Sequence, residues 1–355
     1  EPTTGRHVTT QKAIMDLVNQ LASEENLAVI LITHDLGIAA QYCNRFVVME
    51  KGKVVEQADN HEIFVKPQHS YTQKLIAATP NQKSKIPKLT TQPPEDWDYP
   101  EPLTEEVLLS VTDLVKAYPI KTRPFAKAAD SFKAVDGISF DIRKGECIGL
   151  VGESGCGKST TSRIVTGLEK ATKGQVLFNG EDIIAMDRKT FEAKGLRKAI
   201  QMVFQDPGGS LNPRHTVQQL IAEPLKRLHG IRDKKSLRHE TLTLSQDVGL
   251  PEEFIDRLPH QLSGGQKARV GISRAIAVSP KLLILDEPTS ALDVSVQAII
   301  LQLLERLRRK KGLSYLFVSH DLNVVRMLSQ RILVMERGKI VESGDYLALS
   351  KKYNP

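Results

Sequence analysis

Residues 152–159 read GESGCGKS, which matches the pattern GxxxxGK(S/T). The stretch follows the apolar run 147–151 and precedes a helix-compatible segment, the strand–loop–helix context that the pattern requires. Its glycines let backbone N–H groups turn toward a bound anion, Lys158 is long enough to reach terminal phosphates, and the Ser159 hydroxyl is suited to ligate magnesium. The alternative is a glycine-rich turn with a chance lysine. The context favours a polyphosphate-binding loop, which we call the phosphate loop.

The strongly apolar segment 282–285 ends in two adjacent carboxylates, Asp286 and Glu287. On their own they could be a plain strand end that meets solvent. In a protein with a phosphate loop, Asp286 becomes the expected carboxylate of a magnesium site, and Glu287 becomes the candidate that polarises an attacking water.

Two further polar residues follow apolar, strand-like segments. His320 comes after 315–318, where a histidine is often only a structural hydrogen-bonding group, but the same His-Asp-Leu triplet recurs at His34 and favours a contact to a γ-phosphate. Gln205 comes after 202–204 and could be an ordinary strand-end amide. The other motifs favour a role in sensing magnesium and the attacking water.

Residues 262–266 read LSGGQ and precede a helix-compatible run, 267–278. Ser263 is a good helix N-cap, which is the structural interpretation. The functional interpretation is that Ser263 and the glycine N–H groups form a second anion-binding site, because one phosphate loop encloses only one side of a triphosphate.

The chain repeats itself at an offset of 286 residues, as in 317 minus 31. Residues 31–36 (LITHDL) correspond to 317–322 (FVSHDL), and 45–55 (RFVVMEKGKVV) correspond to 331–341 (RILVMERGKIV). A constant offset over separate blocks indicates two copies of one domain.

The repeat predicts three regions. Residues 1–80 are the truncated C-terminal part of a first copy, 81–107 are a proline-rich linker that we expect to be extended, and 108–355 are a nearly complete second copy. We therefore expect the chain to be a fragment of a longer tandem protein. Alternation of strands and helices in the second copy predicts a mostly parallel α/β sheet, and the segments 108–113 and 132–140 predict antiparallel strands beside it.

Composition narrows the class of protein. The 355 residues are 40% hydrophobic and 26% charged, which excludes disorder and fibre. The net charge of +7 permits a phosphate-rich ligand but is mild for a dedicated nucleic-acid binder. Three cysteines imply no disulfide framework and favour a reducing compartment. The longest apolar run, 27–32, is too short for a membrane span, which needs about 20 residues.

In chain order, these motifs together with residues 290–293 (SALD) resemble the ATP-binding cassette family, and the resemblance covers both copies. It implies a P-loop NTPase fold of the α/β class, with a RecA-like parallel core sheet, an antiparallel β subdomain and a helical subdomain. It also implies ATP and Mg²⁺ as ligands and an ATP sandwich, in which the phosphate loop of one domain faces the LSGGQ of its partner.

The resemblance assigns roles by position. Tyr118 falls where the family places an aromatic that stacks on adenine, although an exposed loop tyrosine is the alternative. Nucleotide binding is expected of Tyr118, Gly152, Glu153, Ser154, Gly155, Cys156, Gly157, Lys158, Ser159 and Thr160. Catalysis is expected of Lys158, Gln205, Glu287 and His320, and metal binding of Ser159, Gln205 and Asp286. The signature acting in trans is Leu262, Ser263, Gly264, Gly265 and Gln266, the dimer seam contains Asp293, and the first-copy equivalents are Glu1 and His34.

The segments 206–214 (DPGGSLNPR), 120–131 and 67–73 (PQHSYTQ) look like the oligopeptide, dipeptide and nickel importer branch. This implies the ATPase of a bacterial importer for peptides, glutathione or related solutes, peripheral on the cytoplasmic face of the inner membrane. Its partners would be transmembrane permease subunits docked around 205–214, a second cassette domain and, indirectly, a solute-binding protein, with no nucleic acid. The alternatives are a soluble tandem cassette ATPase acting on ribosomes or DNA, and a nucleotide-binding module without turnover.

Two positions raise questions. The first copy has His7 where the second has Asp293, so one seam is expected to be altered. Cys156 lies in the phosphate loop beside Lys158, an environment expected to lower a thiol pKa, although it could simply be a small residue.

Overall fold

The structure is a computed structural model that describes residues 8–33, 35–79, 86, 101–120, 130–346 and 348–349. It divides into two compact units, residues 1–97 with 291–302 and residues 98–290 with 303–355. The first unit contains α1 (Val8–Glu24), α2 (Leu36–Tyr42), β1 (Arg45–Glu50), β2 (Lys53–Asp59), α3 (Asn60–Val65) and α4 (Ser70–Ala78).

The first unit is built around the antiparallel hairpin β1–β2. Lys51 and Gly52 both have positive φ, as a tight hairpin turn requires. Alternate side chains of β1 point inward, so Phe46 and Val48 form a small core with Ala39 and Ile63. Most of the predicted linker lies outside the described residues. Ile86, within it, is buried, and its carbonyl accepts a 3.0 Å hydrogen bond from Gln302, although we expected an extended segment without a core.

The remaining elements belong to the second unit, except that the first half of α11 belongs to the first unit. They are β3 (Val107–Ile120), β4 (Asp130–Arg143), β5 (Cys147–Val151), α5 (Lys158–Val165), β6 (Lys173–Phe178), β7 (Glu181–Asp182), α6 (Arg188–Ala193), α7 (Leu196–Ala199), β8 (Ile200–Val203), α8 (Val217–Leu228), α9 (Lys234–Asp247), α10 (Gly264–Ile276), β9 (Leu282–Asp286), α11 (Val294–Lys311), β10 (Ser314–Ser319), α12 (Leu322–Leu328), β11 (Arg331–Glu336) and β12 (Lys339–Gly344).

The main sheet has the strand order β12-β11-β5-β10-β9-β8 in the described part of the chain. The pairs from β11 to β8 are parallel, and β12 closes one edge as an antiparallel strand. The central strands β5, β9 and β10 are buried along their whole length, which explains their continuous apolar sequence. Carboxyl ends of parallel strands meet at one edge, so the segments after β5, β8, β9 and β10 lie near one another.

A second sheet has the order β4-β3-β6-β7 and is antiparallel. Its two long strands extend well beyond the predicted segments 108–113 and 132–140. Register shifts along the β3–β4 ladder and a positive φ at Asp113 interrupt the alternation of apolar and polar residues. The sequence pattern therefore predicts strands that are shorter than those observed.

Helices α8, α9 and α10 pack against one another and form the helical part of the second unit. The architecture is therefore α/β, with a mostly parallel sheet, an antiparallel sheet and a helical subdomain, as the sequence predicts. None of the described helices is both long and apolar enough to cross a membrane.

Two segments that correspond by the 286-residue offset differ in structure although their sequences are similar. Ile30 and Ile32 in the first unit are 90% and 74% exposed, and residues 27–33 form no strand. Their equivalents by the repeat, Leu316 and Val318, are fully buried in β10. Strand β10 lies between β5 and β9, whereas the described residues place no strand beside 27–33.

Candidate functional site

The phosphate loop joins β5 to α5 and depends on glycine at two places. Gly157 has φ +110°, and a Cβ there would lie 2.1 Å from the Ala134 carbonyl oxygen. Gly152 has φ +153°, and a Cβ there would lie 2.1 Å from the Met335 carbonyl oxygen. Any side chain at either position would displace backbone, so the glycines allow the loop to pass between β4 and β11.

Lys158 is held in the loop by the loop's own backbone. Its Nζ donates hydrogen bonds to the carbonyls of Gly152 at 2.7 Å and Glu153 at 2.9 Å, and the residue is 6% exposed. The ammonium group is thereby fixed at the mouth of a helix N-terminus, where backbone N–H groups and the helix dipole also favour an anion.

Ser159 and Asp286 meet beside the loop. The Ser159 hydroxyl donates to the Asp286 carboxylate at 3.3 Å, and Asp286 is 5% exposed. Burial and the negative charge of Glu287 raise the pKa of Asp286. A hydroxyl and a buried carboxylate form a hard oxygen donor set, so these residues fit Mg²⁺.

Glu287 follows β9 in an unusual conformation that aims its side chain at two partners. Its φ is +47°, and its backbone N–H donates to the Val318 carbonyl at 2.9 Å. One carboxylate oxygen accepts a 2.9 Å hydrogen bond from Gln205 Nε2, and the other lies 3.3 Å from His320 Nδ1. The structure therefore brings together Gln205, Glu287 and His320, which sequence reasoning selected from three separate segments.

The charge states of Glu287 and His320 depend on each other. The hydrogen bond from His320 to Glu287 raises the pKa of His320, although burial opposes this. Burial alone would raise the pKa of Glu287, but the hydrogen bond and charge of His320 outweigh it and lower that pKa. The lowered pKa favours the ionised form of Glu287, which is the form that a general base requires.

In the LSGGQ segment, Ser263 is a helix N-cap, as the structural interpretation of the motif predicts. The Ser263 hydroxyl accepts from the Gln266 N–H at 3.3 Å, and the Gln266 side chain accepts from the Ser263 N–H at 2.8 Å. This capping box begins α10. Gly264 and Gly265 lie in the first turn of the helix, so a helix N-terminus is formed at the signature, as the functional interpretation also requires. At the other predicted seam position, the Asp293 carboxylate accepts from the Val296 N–H at 3.0 Å near the start of α11.

Tyr118 lies within β3 and is partly buried, so it is not an exposed loop residue. Its hydroxyl donates to Glu169, and it also has a side-chain hydrogen bond with Thr160, in the first turn of α5. Burial and the bond to Glu169 raise the pKa of Tyr118. The ring therefore lies close to the end of the phosphate loop.

Cys156 contradicts one expectation. It is 5% exposed, and its pKa is raised, because burial outweighs the nearby Lys158 ammonium, whose Nζ is 3.9 Å from Sγ. The thiol is therefore a small buried group and not an activated one. His7, Glu1 and His34 lie outside the described residues.

Sequence reasoning missed the residues that support the motif. Glu169 and Lys116 surround Tyr118, and the turn at Gly338 donates to the Cys156 carbonyl at 2.9 Å. A cleft beside the phosphate loop is lined by Phe132, Lys133, Glu153, Ser154, Gly155, Cys156, Arg337 and Gly338. Lys116 and Tyr118 are two residues apart, and this spacing on a strand could have predicted that their side chains lie on the same face. No feature of the sequence links Glu169 to Tyr118.

Comparison with known proteins gives relatives over nearly the whole chain. The family described as ABC transporter matches residues 135–290. A glutathione import ATP-binding protein from Pectobacterium atrosepticum is 42% identical over 97% of this chain. A peptidoglycan transport ATP-binding protein from Agrobacterium fabrum is 41% identical over 97% of it. The chain covers only 57% and 60% of these two relatives.

Solved structures resemble the fold as well. An ATP-binding cassette in a dimeric, post-hydrolysis state bound to ADP and phosphate has a TM-score of 0.60 and 30% identity, covering 67% of this chain and 98% of that one. The protein cbiO1 from Clostridium perfringens, part of an ABC transporter complex, has a TM-score of 0.59 and 29% identity, covering 70% of this chain and 92% of that one.

Proposed function

Because this chain belongs to the ATP-binding cassette transporter family, we propose that it is the ATP-binding and ATP-hydrolysing part of a bacterial importer for peptides or related small solutes. The observation that carries the proposal is the convergence at one sheet edge of the phosphate loop with Asp286, Glu287, Gln205 and His320.

ATP binds with its terminal phosphates against Lys158 and the N–H groups at the start of α5. The Gly152 and Glu153 carbonyls already hold the Lys158 ammonium group at the loop, where the terminal phosphates would lie. Ser159 and Asp286 would hold Mg²⁺, which supplies positive charge to the phosphate oxygens when it is bound.

Glu287 acts as the group that orients and polarises water. Its ionised carboxylate accepts a hydrogen bond from the attacking water, whose oxygen bonds to the γ-phosphorus as the bond to the β-phosphate oxygen breaks. Gln205 fixes one carboxylate oxygen at 2.9 Å, and His320 lies 3.3 Å from the other. His320 also offers a proton-bearing ring to the γ-phosphate.

A complete site needs a second cassette. The helix N-terminus at Ser263 acts in trans on an ATP held by the phosphate loop of a partner domain, with Asp293 at the seam. The dimeric ATP-binding cassette structure to which this chain is similar supports that arrangement. The partner is another cassette domain, whether a second copy of this chain or a complete first copy.

The importer assignment is supported by the relatives. They are named for glutathione import and peptidoglycan transport, and the segment 206–214 of this chain looks like the oligopeptide branch. We infer that the chain is peripheral on the cytoplasmic face of the inner membrane. Residues 205–214 would contact permease subunits, and a solute-binding protein would act on the chain only through those subunits. The names of the relatives favour transport over the alternative of a tandem ATPase acting on ribosomes or DNA.

Magnesium-dependent ATP hydrolysis by the 355-residue chain, measured against protein concentration, tests the enzymatic part. The rate per molecule should rise with concentration, because the sandwich requires two domains. Glu287→Gln should retain ATP binding and lower the rate by at least about 100-fold, the loss typical of a general base. Hydrolysis undiminished in Glu287→Gln would overturn the role of Glu287, and absence of ATP binding would overturn the proposal as a whole.

Cross-linking tests the transporter part. Asn212 is exposed within the proposed docking segment, and Arg188 is exposed on α6 outside it. A cysteine at Asn212, but not one at Arg188, should cross-link to an integral membrane protein in membranes of the source organism. Cross-links from Asn212→Cys to ribosomal proteins alone would support the alternative.

A further inference from the structure

Tyr118 is surrounded by two ionised side chains that the proposed hydrolysis does not use. Lys116 Nζ lies 4.9 Å from the centroid of the Tyr118 ring and 3.1 Å from a Glu169 carboxylate oxygen. The same ammonium donates to the Lys170 carbonyl at 2.8 Å. Glu169 in turn accepts the hydrogen bond of the Tyr118 hydroxyl.

These contacts fix the ring in two ways, and the Lys116–Glu169 ion pair connects them. The ammonium lies over one face of the ring, so the face on which we expect a ligand to stack, its open face, is the one opposite Lys116. The Glu169 carboxylate holds the hydroxyl and so sets the rotation of the side chain. Both charged groups are largely shielded, with Lys116 and Glu169 side chains 16% and 19% exposed, so the pair is more rigid than a surface ion pair.

The position of Glu169 links the ring to the phosphate loop. Helix α5 begins at Lys158 in the loop, and Glu169 lies in the segment that follows its last turn. Thr160, in the first turn of the same helix, also contacts the Tyr118 hydroxyl. The ring on β3 is therefore tied to both ends of the helix that begins at the phosphate site.

We propose that Glu169 and Lys116 are positioning residues for the nucleotide base, holding the Tyr118 ring at a fixed place relative to the phosphate loop so that the base stacks on its open face. This inference rests on the proposed ATP binding. It concerns only the part of the affinity that comes from the base, because the triphosphate is bound by the loop itself.

The test compares two ligands that differ in the base. Isothermal titration calorimetry of the 355-residue chain with magnesium gives the Kd of ATP and of inorganic tripolyphosphate. Tyr118→Phe, which keeps the ring and loses the hydroxyl, and Glu169→Ala should each weaken ATP binding about fivefold, the loss expected for one hydrogen bond. Tripolyphosphate affinity should not change.

The double variant decides between positioning and general damage. Tyr118→Phe combined with Glu169→Ala should bind ATP no more weakly than Glu169→Ala alone, because Glu169→Ala already removes the Tyr118–Glu169 hydrogen bond. Lys116→Met should also weaken ATP binding selectively, and Lys116→Arg should restore it, since a guanidinium group keeps the charge and the ring contact. Glu192→Ala, which breaks the exposed pair with Arg188, is the matched control and should bind both ligands as the wild type does.

Two results would overturn the inference while leaving ATP binding intact. One is wild-type ATP affinity in Tyr118→Phe. The other is an equal loss of ATP and tripolyphosphate affinity in Glu169→Ala, which would indicate a purely structural role. A wild-type chain that binds neither ligand would instead overturn the proposed function.

Discussion

At the scale of the residue, Gly157 tolerates substitution poorly. Its φ of +110° disfavours any other residue, and the Ala134 carbonyl occupies the place of a side chain. We expect Gly157→Ala to displace the phosphate loop and to weaken ATP binding at least tenfold, as measured by calorimetry.

Gly180→Ala is the matched control for that substitution. Gly180 also has positive φ, at +80°, but a Cβ there meets nothing within 4 Å. It should cost only about 1 kcal/mol of backbone strain and leave ATP affinity unchanged. Equal ATP affinities in the two variants would show that the contact with Ala134 does not matter.

The pair of Glu287 and His320 predicts a pH dependence of stability. The pKa of His320 is raised, so its contribution is complete below about pH 6.5 and disappears as the pH rises through the folded-state pKa. The pKa of Glu287 is lowered, so its contribution exists above about pH 4.3 and disappears as the pH falls through its folded-state pKa. Asp321 and Lys158 also act on His320, in opposite directions.

His320→Gln should therefore be most destabilising between these limits. Urea unfolding at about pH 5.5 should show a loss of roughly 1 kcal/mol or less relative to wild type, and the loss should shrink by about pH 8.5. A loss that grows with pH would contradict the ion pair.

Residue identities predicted much of the candidate site, because each motif keeps its chemistry within a few neighbouring residues. They did not predict the neighbours of Tyr118. Glu169 is 51 residues away in sequence, so only the folded chain brings its carboxylate to the Tyr118 hydroxyl. The sequence also did not predict that the pKa of Cys156 is raised. Its proximity to Lys158 was apparent from the sequence, whereas its burial was not.

At the scale of the element, the N-terminus of α10 combines two roles that one substitution can separate. Ser263 caps the helix and is also proposed to bind the nucleotide of a partner domain. Ser263→Asp retains a good capping residue but places a negative charge at the anion site.

We expect Ser263→Asp to unfold in urea within a few tenths of a kcal/mol of wild type, roughly the spread among good N-caps, while ATP hydrolysis falls at least tenfold. Ser263→Ala is the comparison, and its helix should lose about 1 kcal/mol of stability. Full hydrolytic activity in Ser263→Asp would rule out the proposed contact with the nucleotide.

Segment 27–33 shows where prediction from sequence reaches its limit. It has the same apolar character as β10, but a buried strand acquires its structure from hydrogen bonds to its neighbours. Strand β10 pairs with β5 and β9 along its length, whereas the described residues offer 27–33 no such pairing. The repeat therefore predicts that the segment is able to form a strand, but it does not predict the conformation that the segment has in this structure.

At the scale of the whole molecule, that difference predicts unequal stability of the two segments that the repeat relates. Limited proteolysis with chymotrypsin, followed by mass spectrometry, should cut within residues 27–33 well before it cuts within the equivalent 313–319. Local opening is easiest where few apolar contacts are buried, and Ile30 is 90% exposed. Cleavage of both segments at the same rate would refute the inequality.

The passage of the phosphate loop between β4 and β11 has a mechanical consequence. The Asp136 N–H donates to the Gly338 carbonyl at 2.8 Å, and the Gly338 N–H donates to the Cys156 carbonyl at 2.9 Å, so the loop is pinned to both sheets. Gly338 thus links the phosphate loop to β4 through two consecutive backbone hydrogen bonds. We therefore expect a shift of the loop on binding triphosphate to be transmitted first to the turn at Gly338 and then to Asp136 on β4.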